Sequence, residues 1–429
     1  MSSRYLRVWS VIFWVVAIFQ VSIIPDTLGI GLVARIVNTL ALAGLLACSL
    51  GALAGRMSER VLVFYCLPVV LIIIGYLVNI ARSASLDSLG YLGLVLPWAA
   101  ALSVPFTRGF DPDHYWRLFY RFMLIVSIIA LIEYAAVFLG FLGTTAIKTS
   151  RGEFLKGILT IFHGLDDPNE PVYERMYGVF AEPGTYAMYL LPAFAHALLY
   201  RRILGGLVFL ACMALTVSLG GYIGLVVLML TFIYWQTRNK STVTKLVIWV
   251  SVLLVLAIAA AALYGLFIET YQGKGASATT REENVTLFFS HFFDIVFQAP
   301  LGMDLKGQSL SDLSDRLFIG SNFSIGNALV IGGLTAFLGY TTFLAVNTLC
   351  WLRAVLRRGQ TSKALACVCI SFPAMVSFVI QRMTLFDSAL YSFLFAVPLL
   401  ALLRRSSAAD SPDPVWVARL TGDYAKTRG

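Results

Sequence analysis

The chain has 429 residues, of which 59% are hydrophobic and 13% charged, with a mean hydropathy of +0.81. Soluble domains carry roughly 25% charged residues, so this charge is too sparse to cover a water-soluble globule of 47.1 kDa. The same shortage excludes a coiled coil and a disordered chain.

In chain order, apolar segments suited to crossing a bilayer lie at about 8–25, 28–54, 61–81, 88–106, 118–143, 184–200, 203–218, 220–236, 246–268, 324–352, 363–381 and 386–403. Each approaches the roughly 20 residues that a helical crossing needs. The first resembles a signal peptide, with Arg4 and Arg7 ahead of it. It lacks a small-residue cleavage site and another apolar segment comes at once, so it reads as a retained span. Leu204–Trp235 is interrupted by Ser218-Leu219-Gly220-Gly221 and reads as a tight hairpin rather than one long helix.

The net charge of +9 is divided by these segments. Alternate connections and both termini hold 21 basic and 6 acidic residues, a balance of +15. The remainder holds 11 basic and 17 acidic, a balance of −6. This is the positive-inside pattern, which puts both termini in the cytoplasm. Basicity therefore reports topology, and no nucleic-acid partner is expected.

The expected architecture is an all-α polytopic integral membrane protein with about twelve transmembrane helices and two large external loops. Residues 1–143 hold helices one to five, 144–183 the first external loop, and 184–268 helices six to nine. Residues 269–323 form the second external loop, 324–403 hold helices ten to twelve, and 404–429 are a cytoplasmic tail. Loops this long are commonly functional. Within the second, Glu282–Gln298 collects Phe288, Phe289, Phe292, Phe293 and Val296 largely on one helical face. That pattern predicts an amphipathic helix lying on the outer membrane surface.

No Gly-x-x-x-x-Gly-Lys phosphate loop occurs, so ATP is not the expected energy source. All six cysteines fall in apolar segments, and no His/Cys/carboxylate spacing indicates a metal; no cofactor is expected. Ser290, His291 and Asp294 do not have the geometry of a nucleophilic triad. Arg35 and Arg382 lie near the outer ends of spans, where an arginine either snorkels or faces a partner. Glu133 lies deeper and is expected to pair with an arginine or hold a proton.

Two stretches carry more specific information. Arg175-Met176-Tyr177-Gly178-Val179-Phe180-Ala181-Glu182-Pro183 leads into a span, with Glu182 placed to cap it. Further on come Arg281, the amphipathic segment, Pro300-Leu301-Gly302, Asn322 and a span containing Gly332-Gly333-Leu334. Arg-x-x-Gly-x-Phe-x-x-Pro before a span resembles the entry to the first large external loop of the O-antigen polymerase and ligase superfamily. The second stretch is similar to that superfamily's second loop. Ser321-Asn322 stands where the lipid-A-core ligases typically carry His-Asn, which turns the resemblance towards the Wzy-type polymerases. In length and loop layout the chain looks like the exopolysaccharide polymerases of the xanthan type.

The resemblance implies a GT-C-like fold in the bacterial inner membrane and a metal-independent glycosyltransferase. Its substrates would be undecaprenyl-diphosphate-linked oligosaccharides, with membrane lipid around it and a flippase and a chain-length regulator as partners. Arg175 and Arg281 would hold the diphosphate, because a guanidinium fork binds phosphate oxygens in pairs and stays charged. Arg35 and Arg382 come second for that role. Glu182 would accept the proton of the attacking hydroxyl, with Asp304 and Asp315 in reserve. Asn322 and His291 complete the expected substrate contacts. The alternatives are a ligase-like glycan transferase and a lipid-linked oligosaccharide flippase or transporter.

The charge division makes a direct prediction. Reporter fusions at Gly152 and Gly307 should read as external and a fusion at Gly359 as cytoplasmic. Cytoplasmic signal at either of the first two overturns this topology.

Overall fold

The computed structural model describes Leu40 and residues 62–83, 112–149, 152–164, 175–180, 182–262, 286, 288–303, 323–356 and 363–380. The spans expected at 8–25, 28–54, 88–106 and 386–403 lie outside this set. A π-helical turn, Leu62–Cys66, leads into α1, Leu67–Ser83. Helix α2 is Pro112–Phe138. It opens with proline, whose missing N–H is no loss in a first turn. It closes in a Schellman turn at Gly140, where Phe141 N–H reaches Ala136 O at 2.8 Å and Gly140 N–H reaches Val137 O at 3.0 Å.

Three short strands come next: β1 Thr145–Thr149, β2 Gly152–Lys156 and β3 Ile161–Gly164. They form an antiparallel sheet in the order β1-β2-β3, with Ile147 opposite Phe154 and Leu155 opposite His163. This corrects the all-α expectation. Phe154 and Ile161 are buried with Tyr177 against Ile147, giving the sheet a small apolar face of its own.

Helix α3 is Pro183–Leu199, α4 Ile203–Leu215, α5 Leu219–Thr237 and α6 Thr242–Ala262. The break expected in Leu204–Trp235 is present as Thr216-Val217-Ser218. Val217 takes a positive φ of 45° there, and Ser218 caps α5 by accepting from Gly221 N–H at 3.3 Å. Two of the described helices of the second loop and beyond, α7 Phe292–Gln298 and α8 Ser324–Leu356, pack together. Helix α9 is Lys363–Ile380 and packs on α3 and α5.

The protein is mostly helical. Among the described residues, four helices are long and apolar enough to cross a membrane: Val63–Ser83, Pro112–Phe138, Leu219–Thr237 and Ser324–Leu356. The last is not a straight rod. At Gly333 the backbone turns to φ 67°, ψ −172°, and Ser324 Oγ lies 2.8 Å from Tyr340 Oη. Those residues are sixteen apart, which in a straight helix is about 24 Å. The short arm therefore folds back beside the long one, and residues 334–356 alone retain about 34 Å of helix. The continuous span expected at 324–352 is thus a helical hairpin with its apex at Gly333.

Helix α1 supports this hairpin. Gly75 and Gly339 are the points of close approach: a Cβ at Gly75 would lie 2.4 Å from Gly332 O, and one at Gly339 2.7 Å from Pro68 O. Small residues at such contacts let helices meet backbone to backbone.

The apex generates a stability prediction. Gly333 occupies a region of backbone space open essentially to glycine alone, and a Cβ there would sit 2.5 Å from the carbonyl carbon of Leu301. Gly333→Ala should lower the unfolding free energy by roughly 2–4 kcal/mol. Gly143→Ala, where a Cβ meets nothing within 4 Å, should stay within about 0.5 kcal/mol of the parent. Equal melting of the two variants in detergent would contradict the hairpin.

Candidate functional site

The first candidate is formed by residues 175–180 and by Glu182 at the start of α3. The path of 176–178 is fixed by backbone bonds. Met176 N–H donates to Leu215 O at 2.7 Å, Ile161 N–H to Gly178 O at 2.7 Å, and Tyr177 N–H to Ile161 O at 3.1 Å. Gly178 sits at φ 60° with the Tyr186 ring 3.0 Å from where a Cβ would be. Phe180 is fully buried and stacks on Tyr186 and Tyr189, with ring centres 5.6 and 4.9 Å away. Tyr186 in turn donates to Ser127 Oγ at 3.0 Å inside the bundle.

This anchoring positions both charged residues. Arg175 is half-buried, beside the end of α4 and within electrostatic range of the Tyr222 phenol at the start of α5. Glu182 is exposed and is the N-cap of α3, with an extended backbone at φ −142°, ψ 138° and proline after it. Its carboxylate accepts no cap bond from the helix amides, while Thr185 Oγ1 donates to Oε2 at 3.4 Å. A Cβ at Gly184 would lie 3.7 Å from Ser218 Oγ, so the α4–α5 tip stands beside the start of α3. One turn thus presents a guanidinium and a carboxylate around the same hairpin tip.

Glu133 has a different partner from either one expected. It is 5% exposed in the last third of α2. Its carboxylate accepts the backbone N–H groups of Ile158 at 3.0 Å, Leu159 at 3.1 Å and Thr160 at 2.9 Å. Three consecutive amides aimed at one carboxylate form an anion nest, which ties the β2–β3 connection to α2. Glu133 is an anchor for the sheet.

The second candidate region surrounds the α8 apex, where Pro300-Leu301-Gly302 and Gly332-Gly333-Leu334 come into contact. Leu334 N–H donates to Pro300 O at 2.8 Å and Met303 N–H to Val330 O at 2.7 Å. Asn79 of α1, fully buried, donates to Met303 O at 2.9 Å and to Ile331 O at 2.6 Å. Arg82 donates to Gly302 O and, at 3.2 Å, to Asn79 Oδ1. The backbone groups released by the break are met by this clasp. Asn79 was not singled out from the sequence; the available signal was a lone amide in an otherwise apolar span.

His291 interrupts the amphipathic segment and caps α7. Its Nδ1 lies 3.5 Å from Asp294 Oδ2, with both side chains at least half exposed. The pair meets across one helical turn, although Ser290, His291 and Asp294 were not expected to converge. The phenylalanines also divide differently from the expected single face. Phe288 and Phe292 pack on Phe337, and Phe288 on Phe323, whereas Phe289, Phe293 and Phe297 form an exposed stripe. Arg35, Arg281, Arg382, Asp304, Asp315 and Asn322 lie outside the described residues.

The chain matches no protein-family model, no curated protein and no solved structure.

The nest supplies the test of this region. Glu133→Gln keeps the shape but sets an NH2 group against amide donors, so at least one bond worth about 1.5–3 kcal/mol is lost. Amide hydrogen exchange at Ile158, Leu159 and Thr160 should quicken by roughly 10–100-fold. Unchanged exchange there would remove Glu133 from its anchoring role.

Proposed function

We propose that this protein is a polysaccharide polymerase of the membrane, with about twelve spans and both termini in the cytoplasm. It transfers a growing glycan from its polyprenyl diphosphate onto the next lipid-linked repeat unit at the outer face of a bacterial inner membrane. The observation that supports the reading is that the anchored residues 175–180 and the start of α3 bring Arg175 and the exposed carboxylate of Glu182 to the same hairpin tip.

The chemistry asks for that combination. The bond between the anomeric carbon and the diphosphate breaks as a sugar hydroxyl of the acceptor attacks. The diphosphate leaves with the electron pair, and the hydroxyl proton goes to a base. Arg175 takes up charge on the leaving group, and Glu182 takes the proton. Arg281 is assigned with Arg175 to the diphosphate; Arg35, Arg382, Asn322, His291, Asp304 and Asp315 are assigned to substrate contacts. No nucleotide sugar enters, because the lipid diphosphate is already an activated leaving group.

A second reading has one observation of its own. Discontinuous helices, with released backbone groups near a ligand, are characteristic of secondary transporters, and α8 is discontinuous at Gly333. In this chain the released groups are satisfied by Asn79 and the 300–303 turn, which favours the polymerase.

Purified protein in lipid should lengthen supplied lipid-linked repeat units without nucleotide sugar, ATP or divalent metal. Arg175→Ala should lower kcat/KM by roughly 10²–10³-fold, and Arg175→Lys should recover little of it. Glu182→Gln should lower kcat far more than it changes KM. Movement of the lipid between leaflets without chain growth would sink the polymerase reading and support the transporter.

A further inference from the structure

At the opposite end of the bundle, the start of α2, the end of α3, the start of α4 and the start of α9 converge on one histidine. His196 is 2% exposed. Its ring lies between Tyr120, with centres 4.7 Å apart, and Tyr200, with centres 4.2 Å apart. Lys363 Nζ sits 4.8 Å over the far face of Tyr200, which continues the column as a cation–π contact. Neither imidazole nitrogen has a hydrogen-bond partner among the described residues. The ring is sealed from solvent, so it is the packed base of this corner, and the polar groups open to a ligand are those of the rim above it.

The surroundings specify the ligand's charge. Arg202, Arg117 and Lys363 all lie within electrostatic range of the imidazole, and all three are exposed. One carboxylate joins them among the described residues: Asp113, which accepts from Tyr200 Oη at 2.9 Å and whose backbone carbonyl accepts from Arg117 Nε at 3.2 Å. The balance is three cations to one anion, with Arg117 and Asp113 on α2, Arg202 in the α3–α4 link and Lys363 at the start of α9. The α3–α4 link is itself held in a fixed turn, with Arg201 at φ 55° and Arg202 N–H bonded to Ala197 O at 2.8 Å.

The surface immediately after Arg202 specifies the rest. Ile203, Leu204 and Leu207 are 75%, 80% and 58% exposed, so an apolar wall descends from the cationic rim. A ligand that fits both parts carries a phosphate at the rim and a hydrocarbon chain along α4. We propose that this corner binds the headgroup of an anionic phospholipid, with the phosphate between Arg117, Arg202 and Lys363 above His196. The site is independent of the polymerase reading, since it uses none of the residues assigned to that chemistry. Basic recesses between membrane helices are a known basis for anionic-lipid capture.

The test uses the full chain purified into phosphatidylcholine nanodiscs, with bound lipid counted by native mass spectrometry and stability followed by thermal shift. Phosphatidylglycerol should be retained and should raise the melting temperature, whereas inorganic phosphate and additional phosphatidylcholine should do neither. Arg202→Gln/Lys363→Gln should weaken phosphatidylglycerol retention about tenfold or more. Lys240→Gln/Arg353→Gln removes one charge from the α5–α6 connection and one from the last turn of α8, and should leave retention unchanged. Arg202→Gln alone provides the readout if the double variant does not purify, with a smaller loss expected. Equal retention by the Arg202→Gln variant and the parent overturns the site, as does equal loss in the Lys240→Gln/Arg353→Gln control. A shift produced by inorganic phosphate alone would replace the lipid with a free anion and also overturn the proposal.

Discussion

A backbone amide or carbonyl in an apolar medium must find a partner inside the protein, and the α8 apex is where this constraint is hardest to meet. Breaking a helix releases carbonyls on one side and an amide on the other. Val330 O, Ile331 O and Leu334 N–H are those groups, and the 300–303 turn with Asn79 takes all three. The consequences spread outward. Met303 bonds to the short arm of the hairpin, so the 300–303 turn is fastened to it. Because Asn79 and Arg82 belong to α1, that turn is tied to a helix that crosses the bundle.

The two loops are anchored by different physics. The first hangs from a charge: the Glu133 carboxylate gathers three amides and fixes the sheet to α2. The second hangs from donors on carbonyls: the Asn79 amide bridges two of them and the Arg82 guanidinium takes Gly302 O. A charged anchor buried without compensation would be severe, and the three amides of the nest supply that compensation.

The helical part was largely legible in the sequence, because long apolar runs and charge alternation report on the bilayer rather than on tertiary contacts. The described bounds at 183–199, 219–237 and 363–380 fall close to those read from hydropathy alone. The hairpin in α8 was not legible, since an apolar composition is the same for a straight span and for one that folds back on itself. Its trace was Gly332-Gly333, read only as a piece of a resemblance. The strands were missed because five-residue segments with modest alternation carry little signal. The phenylalanine stripe was misdivided because Phe288 and Phe292 pack on Phe337 of α8, a tertiary contact that composition alone does not report. Of the site residues, the sequence located Arg175 and Glu182 on one turn but could not show that the α4–α5 tip stands against it.

The composition of that turn separates what packing requires from what it does not. Gly178 is required by its positive φ and the Tyr186 ring, Phe180 by its burial, and Pro183 by the first turn of α3. Glu182 is held differently, by the Thr185 hydroxyl that donates to its Oε2 at 3.4 Å. Serine, threonine, aspartate or asparagine would cap α3 better, and the glutamate takes no amide of the helix. Its charge next to the positive end of the helix gives a modest stabilisation that a shorter aspartate would also supply. What glutamate adds over aspartate is one methylene of reach. The proposed base for a sugar hydroxyl would use that reach, which a cap does not need.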